Sequence, residues 1–184
     1  MDQERIILGI DPGTNIMGYG VIACKGGKVR LIALDVVKMA GSADQHAKLK
    51  RIFETTLQLI DLHSPTQLSI ESTFFGKNVQ SMLKLGRAQG VAIAAALYRG
   101  LEVFEYSPRR IKQSITGRGN ASKDQVAAML SRLLEINLLS SGFDATDGLA
   151  VAMCHVFQKD TNAQMPKSHN SWKSFIAENP NRMG

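Results

Sequence analysis

The chain has 184 residues, 44% of them hydrophobic and 21% charged, and a mass of 20.1 kDa, an ordinary globular composition long enough to bury one full core. With 22 basic residues against 16 acidic ones, the net charge is +6 and the sequence pI is near 9.5, which favours a polyanionic partner such as nucleic acid. The longest apolar stretch, Val91 to Tyr98, is far short of the roughly 18 residues that a membrane span needs, and the acidic start Met1-Asp2-Gln3-Glu4 lacks the basic region of a secretory signal. A soluble, cytoplasmic protein is expected, with no membrane partner. Cys24 and Cys154 stand in apolar segments without metal-type spacing and read as small buried hydrophobes.

Arg5 to Ile10 is a β-branched run that stops at Asp11-Pro12-Gly13, and strand-like sequence resumes over Gly18 to Cys24. After the Gly26-Gly27 turn, Val29 to Val37 completes a three-stranded meander. Leu49, Ile52, Phe53, Leu57 and Ile60 stand at helical spacing between Ser42 and Leu62, and Ser64-Pro65 ends that helix. Gln67 to Ile70 reads as a buried strand, Asn78 to Tyr98 as a long helix and Glu102 to Tyr106 as a further strand. Arg109 to Thr116 is a short helix, and Gly117-Arg118-Gly119-Asn120 a loop expected to be mobile. Ser122 with Gln125 is a capping-box pattern for a helix whose apolar face is Val126, Met129, Leu130, Leu133 and Leu134, ending near Asn137. The last periodic segment runs from Asp144 to Phe157. Beyond Gln158 the chain is polar, with a single Trp172. The order βββαβαβ followed by helices predicts an α/β fold with one mixed five-stranded sheet flanked by helices. It forms one domain, residues 1–157, with residues 158–184 as a disordered or loosely attached tail.

Asp11 leaves the C-terminal end of the first strand and Glu71 the C-terminal end of a buried one, where α/β sheets place their ligands. Asp144 and Asp147 lie three apart at a helix start and share a face. Taken singly these are a turn, a solvated strand end and an N-cap with its first turn. Together they crowd four carboxylates, and hard divalent cations are the usual neutralising partner. Mg²⁺ leads, with Mn²⁺ as a substitute. His46, His63, His155 and His169 show no mutual ligand spacing and read as surface or core residues, although His155 lies eight residues past Asp147 on roughly the same helix face. Arg109, Arg110, Lys112, Arg118 and Lys123 place five positive charges within fifteen residues with no acidic residue among them. That is either a solvated face or a phosphate-binding stripe, and the neighbouring glycine loop and acidic set favour the stripe. Lys77, Lys84 and Arg87 form a second basic patch.

The chain resembles the RuvC-type Holliday-junction resolvases of bacteria. The resemblance lies in Ile7-Leu8-Gly9-Ile10-Asp11-Pro12-Gly13 with Gly18-Tyr19-Gly20-Val21, in Ile70-Glu71-Ser72-Thr73-Phe74 with Lys77-Asn78, and in Leu83 to Ala92. It continues in Val103-Phe104-Glu105-Tyr106, Lys112-Gln113 and Asp144 to Ala150, in the family's order over most of residues 5 to 157. It implies an RNase H-like fold of the retroviral integrase superfamily and a two-metal endonuclease whose acidic tetrad is Asp11, Glu71, Asp144 and Asp147. Asp11 would bridge the two metals in each subunit, and the products would carry 5′-phosphate and 3′-hydroxyl ends. Lys112 and Lys123 match lysines near the scissile phosphate, Lys112 with a catalytic part. Phe74 matches an aromatic that stacks on an unpaired base at the junction centre, whereas Phe75 reads as core.

The resemblance further implies a four-way junction substrate, a homodimer using in part the helix that carries Gly86, Gly90 and Ala92 to Ala96, and the branch-migration partners RuvA and RuvB. Three other functions compete. One is a single-domain ATPase of the actin and sugar-kinase type, opposed by the short chain. Another is a non-catalytic branched-DNA-binding module, opposed by the acidic set, and the last a nuclease of the same fold acting on RNA–DNA hybrids or other ends.

Overall fold

The computed structural model describes residues 4–39, 44–73, 78–138 and 142–164. Its central strand, β1 (Arg5–Asp11), is apolar on both faces: Ile7 joins one core cluster, and Leu8 and Ile10 the other. A strand with such a pattern must be covered twice. β1 pairs antiparallel with β2 (Ile16–Lys25), which pairs antiparallel with β3 (Lys28–Lys38). On its other side β1 pairs in parallel with β4 (Gln67–Glu71), and β4 in parallel with β5 (Glu102–Tyr106). The order is therefore β3-β2-β1-β4-β5, the mixed five-stranded sheet expected.

Parallel pairs need crossovers, and helices supply them. α1 (Gln45–His63) joins β3 to β4, α2 (Val79–Tyr98) joins β4 to β5, and both cover the Leu8 face. In α2, Ala88, Ala92 and Ala96 are buried against that face and Ala95 is buried beside them, so half of its small residues pack within the chain. α3 (Pro108–Thr116), α4 (Lys123–Leu133) and α5 (Phe143–Gln164) cover the Ile7 face. The caps match the sequence signals: Ser107 caps α3 with Pro108 in its first turn, and Ser122 and Gln125 form the expected capping box on α4. Among the described residues no helix is long and apolar enough to cross a membrane.

Several boundaries differ from the sequence reading. α1 starts at Gln45, capped by Asp44, rather than at Ser42, which lies outside the described residues. α4 stops at Leu133, short of Asn137, because Glu135 takes a positive φ of 55° and the Ile136 N–H closes on the Ser131 carbonyl at 3.0 Å. α5 continues past Phe157 to Gln164, so the boundary drawn at residue 158 falls inside a helix. The apolar period ends there, but Gln, Lys and Ala are good helix formers and extend an existing helix without an apolar face. The remainder of the expected tail, with Trp172, lies outside the described residues. The loop at 117–120 is tied down: the Arg118 N–H donates to Thr116 Oγ1 at 3.2 Å, the Ala121 N–H to the Arg118 carbonyl at 3.3 Å, and Gly119 rests on the Arg109 side chain.

Candidate active site

The register Ile10↔Ile70 sets the ends of β1 and β4 side by side, so Asp11 and Glu71 leave neighbouring strands at the same level. Alternation then fixes their face. Gly9 packs on Ala152 of α5, and Asp11 follows two residues later. Gln67 meets His155 of α5, and Glu71 follows four residues later. Both carboxylates therefore stand on the α5 side of the sheet.

A seam of glycines brings α5 down to them. A Cβ placed on Gly18 would lie 1.8 Å from the Asp144 carbonyl oxygen, one on Gly9 2.3 Å from the Gly148 carbonyl oxygen, and one on Gly148 2.5 Å from Tyr19 Cα. No side chain fits at these places, so helix and sheet touch backbone to backbone. This contact delivers the first turns of α5, with Asp144 exposed and Asp147 half-buried, to the strand ends.

The carboxylates sense one another. Burial pushes the Asp11 carboxyl up to about 7, with Asp147 adding to it, Lys123 opposing and Asp144 adding less. Burial also pushes Glu71 up to about 8, reinforced by Asp11 and Asp147 and opposed by Lys123 and Lys112. Asp147 is raised by burial against the hydrogen bond and charge of Lys123. Lys123 forms an ion pair with Asp147; burial pulls its ammonium down, but Asp147 outweighs that and holds it above the usual lysine value. The charges of Asp144, Asp147, Lys112 and Lys123 thus bear on Asp11 or Glu71.

Among the described residues no three Asp, Glu, His or Cys side chains stand close enough together to hold one ion, and Lys123 is the counter-charge to Asp147. The donor set still fits a hard divalent cation: all four groups offer carboxylate oxygens, and burial, with the neighbouring carboxylates, holds two of them well above ordinary carboxyl values. Asp11, Glu71, Asp144 and Asp147 are the residues that would hold it.

The remaining candidates scatter. Arg109 is exposed and lies over Gly119, and Arg118 is exposed in the same loop. Arg110 is exposed and hydrogen-bonded to Gln158 of α5. Lys84 and Arg87 are exposed on α2. Phe74, Phe75 and Lys77 lie outside the described residues. His155 is a satisfied core residue: fully buried, it contacts the Tyr106 hydroxyl through Nδ1 at 2.7 Å and Gln67 Oε1 through Nε2 at 3.1 Å. Two features escaped the sequence reading. The glycine seam had a signal, alternate glycines on one strand face at Gly18 and Gly20. Gln89, which reaches from α2 to the backbone beyond β4, had none.

The chain is similar to known proteins over most of its length. The family model described as "Crossover junction endodeoxyribonuclease RuvC" matches residues 7–155. A protein of that name from Cytophaga hutchinsonii is 54% identical over 180 residues, covering 98% of this chain and 88% of the relative. Another from Christiangramia forsetii is 51% identical over 183 residues, covering 100% and 95%. The solved structure described as T. thermophilus RuvC in complex with Holliday junction substrate superposes with a TM-score of 0.79 at 31% identity, covering 86% of this chain and 96% of that one. The RNase H-like fold is thereby shown. The chain belongs to the RuvC family of crossover junction endodeoxyribonucleases, which are metal-dependent nucleases.

Proposed function

We propose that this protein resolves four-way DNA junctions by paired, symmetric nicks in opposing strands, leaving 5′-phosphate and 3′-hydroxyl ends, in homologous recombination and DNA repair. The observation that carries the reading is membership of the RuvC family, supported by the register that sets Asp11 and Glu71 on adjacent strand ends and by the close approach of α5, which carries Asp144 and Asp147. Two Mg²⁺ ions per subunit, replaceable by Mn²⁺, would activate the attacking water and stabilise the departing 3′ oxygen in an in-line displacement. Asp11 and Glu71, fixed by adjacent strands, orient the hydrolytic centre. Asp144 and Asp147 close it from α5. Lys123, ion-paired with Asp147, and Lys112 would face the phosphate and its developing charge. Arg109, Arg110, Arg118, Lys84, Arg87 and the undescribed Lys77 supply backbone contacts along the arms, and Phe74 stacks at the junction centre.

A homodimer suits a substrate cut twice with two-fold symmetry. Val79, Leu83 and Leu97 of α2 are 58 to 68% exposed, and Gly86 and Gly90 between them have open space where a side chain would be. RuvA and RuvB are the proposed branch-migration partners, and the cytoplasm is the proposed site of action. Cleavage of a synthetic four-way junction, against linear duplex of the same arm sequence with Mg²⁺ or EDTA, tests the reading. Paired Mg²⁺-dependent nicks in the junction, absent in Asp11→Asn although it still binds, are expected. Binding without cuts under any divalent metal would sink it.

A further inference from the structure

β4 ends at Glu71, and the sheet holds one residue more: the Ser72 N–H donates to the Tyr106 carbonyl at 2.9 Å. Thr73 lies beyond the ladder. Its N–H donates to the side chain of Gln89, at 3.3 Å from Oε1. Gln89 belongs to α2, on the opposite face of the sheet from α5, and is 7% exposed. Its Nε2 donates to the Glu105 carboxylate of β5. Only one orientation of the amide serves an N–H on one side and a carboxylate on the other, so both partners fix the Gln89 side chain. The carboxylate makes the second bond charge-assisted, the stronger kind.

We infer that Gln89 is a positioning residue for Glu71: by bridging the Thr73 N–H to Glu105 it clamps the chain as it leaves the sheet and keeps the Glu71 carboxylate facing Asp11. The inference rests on the reading of Asp11 and Glu71 as metal ligands. Without the bridge the last anchor among the described residues is Ser72, adjacent to Glu71, and the strand end can twist. A ligand group must be held to within about 0.5 Å of its working place, and loss of an outer hydrogen-bond partner costs about 10- to 100-fold in metal affinity.

A charge exchange tests it. Gln89→Glu sets a carboxylate against Glu105 and breaks the bridge by repulsion. Glu105→Gln in the same chain rebuilds it, because the new amide donates to the new carboxylate, which still accepts from Thr73. Glu105 is exposed, so Glu105→Gln alone keeps an acceptor for Gln89 and solvates the rest. Mn²⁺ affinity of the DNA-free protein, measured by calorimetry, should fall about tenfold in Gln89→Glu and return to within about threefold of wild type in the double variant. Junction affinity in EDTA and the unfolding midpoint of the double variant should match wild type, and single-turnover junction cleavage should follow the metal affinity. Gln89→Met, which keeps the volume without either hydrogen bond, should show the same weakening with no rescue by Glu105→Gln. Wild-type Mn²⁺ affinity in folded Gln89→Met, or no recovery in the charge exchange, overturns the inference. A wild-type protein that binds Mn²⁺ but cuts no junction defeats the proposed function, while the affinity series still decides the role of Gln89.

Discussion

Asp11 and Glu71 are ionised at the expense of the fold. Burial pushes their carboxyls up to about 7 and about 8, against ordinary values of 3.8 and 4.5. Between pH 4 and 8 the folded chain retains protons that the unfolded chain has released, so stability falls as pH rises through that window and levels off above it. This is the reverse of a carboxylate held low by an ion pair. A bound divalent cation removes the repulsion, so the rise in unfolding temperature on adding Mg²⁺ should be larger at pH 8 than at pH 5. Asp11→Asn removes one of the charges at nearly constant volume. In EDTA at pH 8 it should be more stable than wild type by on the order of 1 kcal/mol, with a shallower pH dependence, although it cannot cut. Urea unfolding at pH 5 and pH 8 measures both, and a variant less stable than wild type at pH 8 would refute the electrostatic account.

Among the elements, α5 shows what was legible and what was not. Asp144 and Asp147 were readable as a helical pair and Asp11 and Glu71 as strand ends, because the period of the chain is local information. The glycine seam showed only as alternate glycines at Gly18 and Gly20; its partners did not, since it joins Gly9 and Gly18 to residues more than 125 positions later, and a lone sequence does not display such contacts. The end of α4 was missed because Glu135 adopts a left-handed conformation that no glycine announced, and the end of α5 because two polar turns follow its apolar face. Gln89 was passed over since a buried amide is recognisable only once both its partners are in place. The seam makes an unusual prediction for Gly148→Ala. In a helix interior that change ordinarily stabilises by about 1 kcal/mol. Here the methyl group meets Tyr19 Cα, so α5 must lift from the sheet. Stability should instead fall by about 2 kcal/mol or more, as overpacked cores do, and Mn²⁺ affinity should fall with it because Asp144 and Asp147 ride on the same turns. Stabilisation in urea with unchanged metal affinity would show that the seam tolerates a side chain.

Charge and symmetry govern the whole molecule. A net charge of +6 draws the chain to DNA, yet its reactive centre is a cluster of carboxylates that repel phosphate until cations cover them. Two cuts in one junction need two such centres in fixed relation, and the exposed α2 stripe of Val79, Leu83, Gly86, Gly90 and Leu97 is the face on which the proposed dimer would form. At 20 residues, α2 is about 30 Å long, enough for a continuous helix-to-helix contact. Leu83→Glu would bury an unpaired charge in that contact while leaving the core of each subunit untouched, since Leu83 is 59% exposed. The variant should sediment as a monomer at concentrations where wild type is a dimer. It should unfold at the wild-type temperature once dimer stability is allowed for, and bind Mn²⁺ normally. On a four-way junction it should yield single nicks in place of paired ones, because each subunit holds a complete set of carboxylates but nothing then couples the two cuts. Paired nicks from a sedimenting monomer, or a wild-type dimer that survives Leu83→Glu, would place the interface elsewhere on the molecule.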